Sequence, residues 1–137
     1  MRITPKLITE LQPNEIFVFG SNTSGRHGKG AAKTAMKWGA KYGVGEGLQG
    51  RTYGIPTVNA SITRSLSYEK IQKYVDNFIE CAKQHPELTF LTTLVGCGLA
   101  GLNIDRIGAM FATAKDVQNI HLPIEFWRAL KFQPTLA

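Results

Sequence analysis

Cysteine is scarce in this chain of 137 residues: Cys81 and Cys97 are the two present, and neither sits in a CxxC pair. The three histidines are scattered, with no HxxxH spacing. That pattern argues against both a disulfide scaffold and a structural zinc site. No apolar run approaches the ~20 residues that a membrane helix needs, and the N-terminus lacks the apolar core of a signal peptide. Internal repeats, low-complexity tracts and linkers are missing as well. The expectation is a single soluble domain over residues 1–137, reduced and cytoplasmic, long enough to bury a core without disulfide or metal. A hydrophobic share of 43% and a charged share of 19% are ordinary for a globular chain and argue against disorder.

Acids are also few, ten against sixteen Lys and Arg, for a formal charge of +6. The excess is local. Arg26, Lys29, Lys33, Lys37, Lys41 and Arg51 face a single acid, Glu46, in one window. Ten of the fourteen glycines fall between Gly20 and Gly54, over the same stretch. Positive charge beside exposed backbone amides suits a phosphate-bearing ligand. A basic surface kept for solubility has the same composition.

Strands and helices alternate along the chain. Glu15 to Gly20 reads as a short buried strand ended by glycine. A loop from Ser21 to Lys29 follows, then a helix from Gly30 to about Tyr42. On that helix Lys29, Lys33, Lys37 and Lys41 step by four into one basic stripe, and Ala32, Ala35, Met36 and Gly39 form a small-residue face. Gly43 to Gly50 reads as a glycine-rich loop, and Arg51 to Ile55 as a strand stopped by Pro56. Ser67 and Glu69 open the clearest helix, and His85-Pro86 closes it. Ile71, Tyr74, Val75, Phe78, Ile79 and Ala82 keep its helical period. Leu88 to Val95, a strongly apolar run, reads as a central strand buried on both faces. After a second glycine loop, Gly96 to Gly101, Asn103 caps a helix carrying Ile104, Ile107, Phe111 and Ala114 on one face. Asn119 to Leu122 reads as a last strand, and Pro123 starts a final helix with Phe126, Trp127 and Leu130 packing back. This alternation predicts a layered α/β domain with helices on both faces of a mixed sheet.

Both glycine loops follow strands and precede helices, the place where open α/β sheets bind ligands. The first, Gly20 to Gly30, is not a P-loop, because no Gly-Lys-Ser/Thr follows at the required spacing. Nor is it a Rossmann fingerprint, because Lys33 stands where the last glycine after Gly28 and Gly30 belongs. Two such loops on one sheet edge predict a diphosphate gripped from two sides by backbone N–H groups. Tight strand-to-helix turns without a ligand are the plainer alternative.

At these loops the sequence resembles the macro domain superfamily, ADP-ribose-binding modules, over most of the chain from about Leu7 to Thr113. Phe17-Val18-Phe19-Gly20-Ser21-Asn22 is similar to the family's strand and Asn-Ala-Ala-Asn-like turn, and Gly28-Lys29-Gly30-Ala31-Ala32 to the glycine pair beside the distal ribose. Tyr53-Gly54-Ile55-Pro56-Thr57 and Val95 to Leu102 resemble the Pro-Thr strand and the diphosphate-binding Gly-Cys-Gly loop of one branch. That branch holds ADP-ribosyl glutamate hydrolases and antitoxins that remove ADP-ribose from DNA. Gly25-Arg26-His27-Gly28 and Gly45 to Gly50 resemble motifs of a bacterial and phage macro-like group. The resemblance implies a macro-like three-layer α/β/α sandwich with a central mixed sheet. It implies ligand contacts from Gly20, Ser21, Asn22, Arg26, His27, Gly28, Gly30, Ala31, Gln49, Gly96, Cys97, Gly98, Leu99, Ala100 and Gly101. It implies no metal and no cofactor.

The chain departs from the hydrolase branch at two places. Val58 stands where that branch carries lysine after Pro-Thr, and Ala100 stands where its eukaryotic members carry aspartate. Neither side chain attacks an anomeric carbon or transfers a proton. The acid that binds adenine before an Ile-Thr pair is replaced by Leu7, leaving Glu10 or Glu15 as substitutes.

Several residues admit two readings. Asn22 orients a ribose hydroxyl and a water, or bonds its own turn. Arg26 and His27 contact phosphate, with His27 a possible acid or base, or they are an exposed loop pair. Glu46 and Gln49 reach the ligand from the middle loop, with a solvated charge the alternative for Glu46. Cys97 packs in a loop whose amides bind, since no histidine partner is near in sequence. Tyr42 or Tyr53 stacks on a base or joins the core, as Trp38 and Trp127 do.

Three functions follow. The first is binding of ADP-ribose or a related nucleotide through the two loops, as a reader or a phage-type sequestering protein. The second is an ADP-ribosyl hydrolase using water positioned by Asn22, or His27 as base. The third, ranked last, is nucleic-acid binding along the lysine stripe, which is more often a solvated face.

Overall fold

The computed structural model describes residues 2–131; Met1 and residues 132–137 of the expected domain lie outside the described residues. The first strand, β1 (Glu15–Asn22), runs two residues past Gly20. Its side chains alternate between two cores: Ile16 and Val18 enter one, Phe17 and Phe19 the other. That is the two-residue pleat of a strand covered on both faces.

Four more strands complete the sheet: β2 (Gly47–Gln49), β3 (Thr52–Val58), β4 (Thr89–Thr92) and β5 (Ile120–His121). Their order is β2-β3-β1-β4-β5. All are parallel except β2, which pairs antiparallel with β3 at one edge. The stretch Gly43 to Gly50, expected as loop, therefore contains a short strand. β3 also runs through Pro56 instead of stopping there. The reason is positional: β2 pairs with β3 only from Thr52 to Gly54, so past Gly54 the outer side of β3 has no partner strand that needs a donor. The apolar run Leu88 to Val95 yields a shorter strand than expected. Past Thr92 the chain turns, with Val95 N donating to Thr93 O at 2.7 Å and Cys97 N to Leu94 O at 3.0 Å.

Helix α1 (Gly30–Ala35) and a 3-10 turn at Met36–Trp38 replace the longer helix expected to Tyr42. Gly39, at φ 104°, ends the run. Arg51 N then donates to Trp38 O at 2.8 Å, tying the helix end to the sheet edge. Lys41 thus lies beyond the helix and the basic stripe is broken. Helix α2 (Tyr68–Gln84) is as expected: Ser67 Oγ accepts from Lys70 N at 3.2 Å, and Ile71, Val75, Phe78, Ile79 and Ala82 are buried. Such a cap is worth ~1 kcal/mol. Helix α3 (Ile104–Ala109) is capped by Asn103 but is short, giving way to a 3-10 segment at Ala112–Asp116. Ile104 is correspondingly exposed, while Ile107, Phe111 and Ala114 are buried as expected. Helix α4 (Ile124–Lys131) follows Pro123 and buries Phe126, Trp127 and Leu130.

Ala32 and Ala35 of α1, with Trp38, Ile8 and Leu11, cover Phe17 and Phe19 on one face. α2, α3 and α4 bury the larger cluster on the other. The architecture is a three-layer α/β/α sandwich on a mixed sheet, as expected. One consequence positions the site. β1 and β4 are adjacent and parallel, yet the chain leaves β1 for α1 on one face and leaves β4 for α3 on the other. A crevice opens at the carboxyl ends of two strands whose connections diverge in this way.

Candidate functional site

The two glycine loops meet over that crevice. At their roots they touch: a Cβ on Gly20 would lie 2.9 Å from Gly96 N. Only glycine lets the strands' ends approach so closely. Further out they part around a cleft of about 690 Å³, within the usual ligand-pocket range of roughly 300–1,000 Å³. Gly28 and Gly98 both line it, and a Cβ on either would meet nothing within 4 Å. Among the described residues, the N–H groups of Gly28, Lys29, Gly98, Leu99 and Ala100 donate to no protein acceptor.

Of the expected ligand contacts, Gly20, Ser21, Asn22, Arg26, Gly28, Gly30, Ala31, Gly96, Gly98, Leu99 and Ala100 line the cleft. Four do not. His27 is buried beneath the first loop, where Nε2–H donates to the carbonyls of Lys41 at 3.0 Å and Val44 at 3.1 Å. Its ring packs edge-on against Phe19. It is a pillar of the loop and is not exposed. Gln49 is also buried: Oε1 accepts from Lys41 N at 2.7 Å and Nε2 donates to Gly47 O at 3.3 Å, so it staples the middle loop. Gly101 N donates to Gly98 O at 3.0 Å, closing the second loop behind the cleft. Cys97 points away into a second cavity, and burial, with the Glu125 charge beside it, pushes its thiol up to about 11. It is held protonated at neutral pH, which makes it a poor nucleophile there.

Asn22 lines the cleft, but its amide serves its own turn. Oδ1 accepts from Ser24 Oγ at 2.8 Å and Arg26 N at 2.9 Å, and Nδ2 donates to Arg26 O at 2.8 Å. One Nδ2 hydrogen is left over. The serine and threonine side chains of the lining are engaged too. Ser21 Oγ bonds Gly45 O, Thr57 Oγ1 donates to Ser21 O at 3.4 Å, and Thr93 Oγ1 donates to Val18 O at 2.7 Å.

Among the described residues, the charged side chains of the lining are Arg26 and Lys29, with no acid. Of the basic window, Lys33 and Lys37 lie off the cleft, and Arg51 is tied to Leu11 O and Gln12 O, each at 2.7 Å. Glu46 faces α2, accepting from Asn77 Nδ2 at 3.0 Å. Tyr53 is buried in the core, whereas Tyr42 is exposed on the cleft wall. The sequence reading missed Ile62, Thr93 and Leu94 in the lining, and it named Val58 only for a missing lysine. Nothing in the sequence signals Ile62; it reaches the cleft through a turn closed by the isolated bridge between Val58 and Ser65.

A second cavity of about 750 Å³ adjoins the first, sharing Ala31, Thr93, Leu94 and Gly98. Its wall includes Leu7, Ile8, Phe17 and Ile124, with one carboxylate, Glu125, and one cation, Lys6. Among the described residues, no cluster of three or more His, Cys, Asp or Glu is placed to hold a metal ion, and no helix is long and apolar enough to cross a membrane.

No protein-family model matches the chain, and no curated protein matches it. Among solved structures it is similar to a protein of unknown function from Bacteroides thetaiotaomicron, at 12% identity and a TM-score of 0.59. The likeness covers 84% of this chain and 90% of that one. At that identity it speaks for the fold alone.

Proposed function

We propose that the protein binds ADP-ribose or a related ADP-ribose-derived nucleotide, as a macro-like module, with the diphosphate between the two glycine loops. One observation carries the reading. Two loops with unpaired amides flank one cleft whose charged side chains are both cationic. Backbone N–H groups with Arg and Lys nearby are what a diphosphate needs. Each charge-assisted contact contributes roughly 1.5–3 kcal/mol, so a few suffice for micromolar affinity. The adjoining cavity extends the same site, and Glu125 stands in it as a carboxylate for an exocyclic amine. Glu10 and Glu15 do not line it.

Binding without turnover is favoured over hydrolysis. Val58 and Ala100 line the cleft, no carboxylate or imidazole does among the described residues, and His27 is walled off. A reader or sequestering role fits such a site. The nucleic-acid reading loses ground because Lys29, Lys33, Lys37 and Lys41 do not share one helix face.

Gly98→Val and Gly28→Val are the direct test, by calorimetry with ADP-ribose. A Cβ at either position meets nothing within 4 Å, so both variants are expected to fold, which their melting temperatures check. The added side chains occupy the diphosphate's place, so affinity falls at least about tenfold, or ~1.4 kcal/mol. Absence of heat with the wild type, or full affinity in both variants, would refute the proposal. Release of ADP-ribose from a modified protein or DNA in a time course would restore the hydrolase alternative.

A further inference from the structure

Ile62 carries the one positive φ among the described non-glycine residues, at 57°. Eight glycines take up the other positive-φ positions. A β-branched residue is the least suited of all to this conformation. The turn that imposes it is closed by several hydrogen bonds. Asn59 Oδ1 accepts from Thr63 N at 3.0 Å and Arg64 N at 3.3 Å, and Ile62 N donates to Asn59 O at 3.1 Å. Ser65 Oγ then anchors the turn to Ala100 O of the second glycine loop at 3.1 Å. The strained residue lines the cleft with its side chain half exposed. Strain kept on a cleft wall, where glycine or asparagine would relieve it, points to a contact with the occupant.

Ile62 does not stand alone. Tyr42 and Leu99, 66% and 79% exposed, come from two other loops onto the same cleft. Three exposed side chains from three loops, two aliphatic and one phenolic, make a collar. The hydroxyl protons of Ser21, Thr57 and Thr93 and the Oδ1 of Asn22 are already bonded within the protein. A collar with this much apolar surface suits a flat ring better than a bare ribose.

From this, and resting on the diphosphate reading above, we infer that Ile62, Tyr42 and Leu99 select a nucleotide whose distal ribose carries an aromatic or dihydroaromatic ring. The ligand class is then a dinucleotide with both rings in place, in preference to ADP-ribose with its free anomeric hydroxyl. The ring lies against Ile62 and the Tyr42 face, and the diphosphate lies between Gly28 and Gly98. A neutral ring is preferred, because Arg26 and Lys29 line the same cleft.

The test compares ADP-ribose with NADH by calorimetry on the wild type, Ile62→Gly and Ile62→Asn. The wild type is expected to bind NADH about tenfold more tightly than ADP-ribose, the scale of one apolar group gained in a pocket. Both variants relieve the backbone, so each melts about 3 °C higher than the wild type. Both also lose the preference for NADH while keeping the affinity for ADP-ribose. Equal affinity of the wild type for the two ligands overturns the inference, as does a preference that survives in both variants. Melting temperatures that do not rise overturn the strain argument on which it stands. Failure of the wild type to bind either ligand is a different result: it removes the diphosphate site, and this inference with it.

Discussion

Asn22, His27 and Cys97 each belong to residue types that chemistry favours, and in each the structure spends that chemistry on the fold. The Asn22 amide closes its own turn, and His27 carries two carbonyls of the middle loop. A sequence states which groups a loop owns, not which of them the backbone consumes. Of the six cations in the basic window, Arg26 and Lys29 reach the cleft, whereas Arg51 is half-buried and spent on the carbonyls of Leu11 and Gln12. Cys97 gives a pH test. Its thiol is held up to about 11 from an ordinary 9.0, so the folded state keeps the proton longer than the unfolded chain. The stability that this contributes is present below 9.0 and is lost as pH rises through about 11. In a Cys81→Ser background, the rate of alkylation by iodoacetamide should rise with an inflection near 11, so that at pH 8 the reactive thiolate is about a hundredfold scarcer than for an ordinary thiol. An inflection at or below 9.0 would contradict the burial argument.

Long elements with a full hydrophobic period were readable, and short ones were not. α2 has four turns of buried stripe and a side-chain cap at its start, so local and tertiary preferences agree. α1 was overextended because its end is set by Gly39 and by a bond from Arg51, thirteen residues past Trp38. The strand through Pro56 was cut short because the sequence does not show where a neighbouring edge strand stops. The middle loop was read as a possible ligand arm, and it is instead a buttress. Gly45 packs on the carbonyl of Asn22 and accepts from Ser21 Oγ, so it holds the first glycine loop from behind. A methyl at Gly45 would press on that backbone, and backbone does not yield cheaply. Gly45→Ala should therefore lose ~1–3 kcal/mol or more of stability in urea unfolding. Gly28→Ala, facing open space, should stay within ~0.5 kcal/mol of the wild type. Equal stability of the two variants would show that the buttress is not under load.

Across the whole molecule, the fold class and the sheet edge that bears the site were legible, because alternating strands and helices leave few topologies. That both loops follow adjacent strands was not legible. Strand order decides it, and β1 and β4 are far apart in the chain. The second cavity was hidden for the same reason: its walls come from the N-terminal segment, the second glycine loop and the start of α4. Glu125 reaches that cavity only through this packing. The central claim is that both glycine loops grip one anion, and amide chemical shifts read it most directly. On titrating ¹⁵N-labelled protein with ADP-ribose, the amides of Gly28 to Ala31 and of Gly96 to Ala100 should shift together, along curves fitted by a single dissociation constant. Shifts confined to one loop, or spread over Lys33 and Lys37 with neither loop affected, would contradict it.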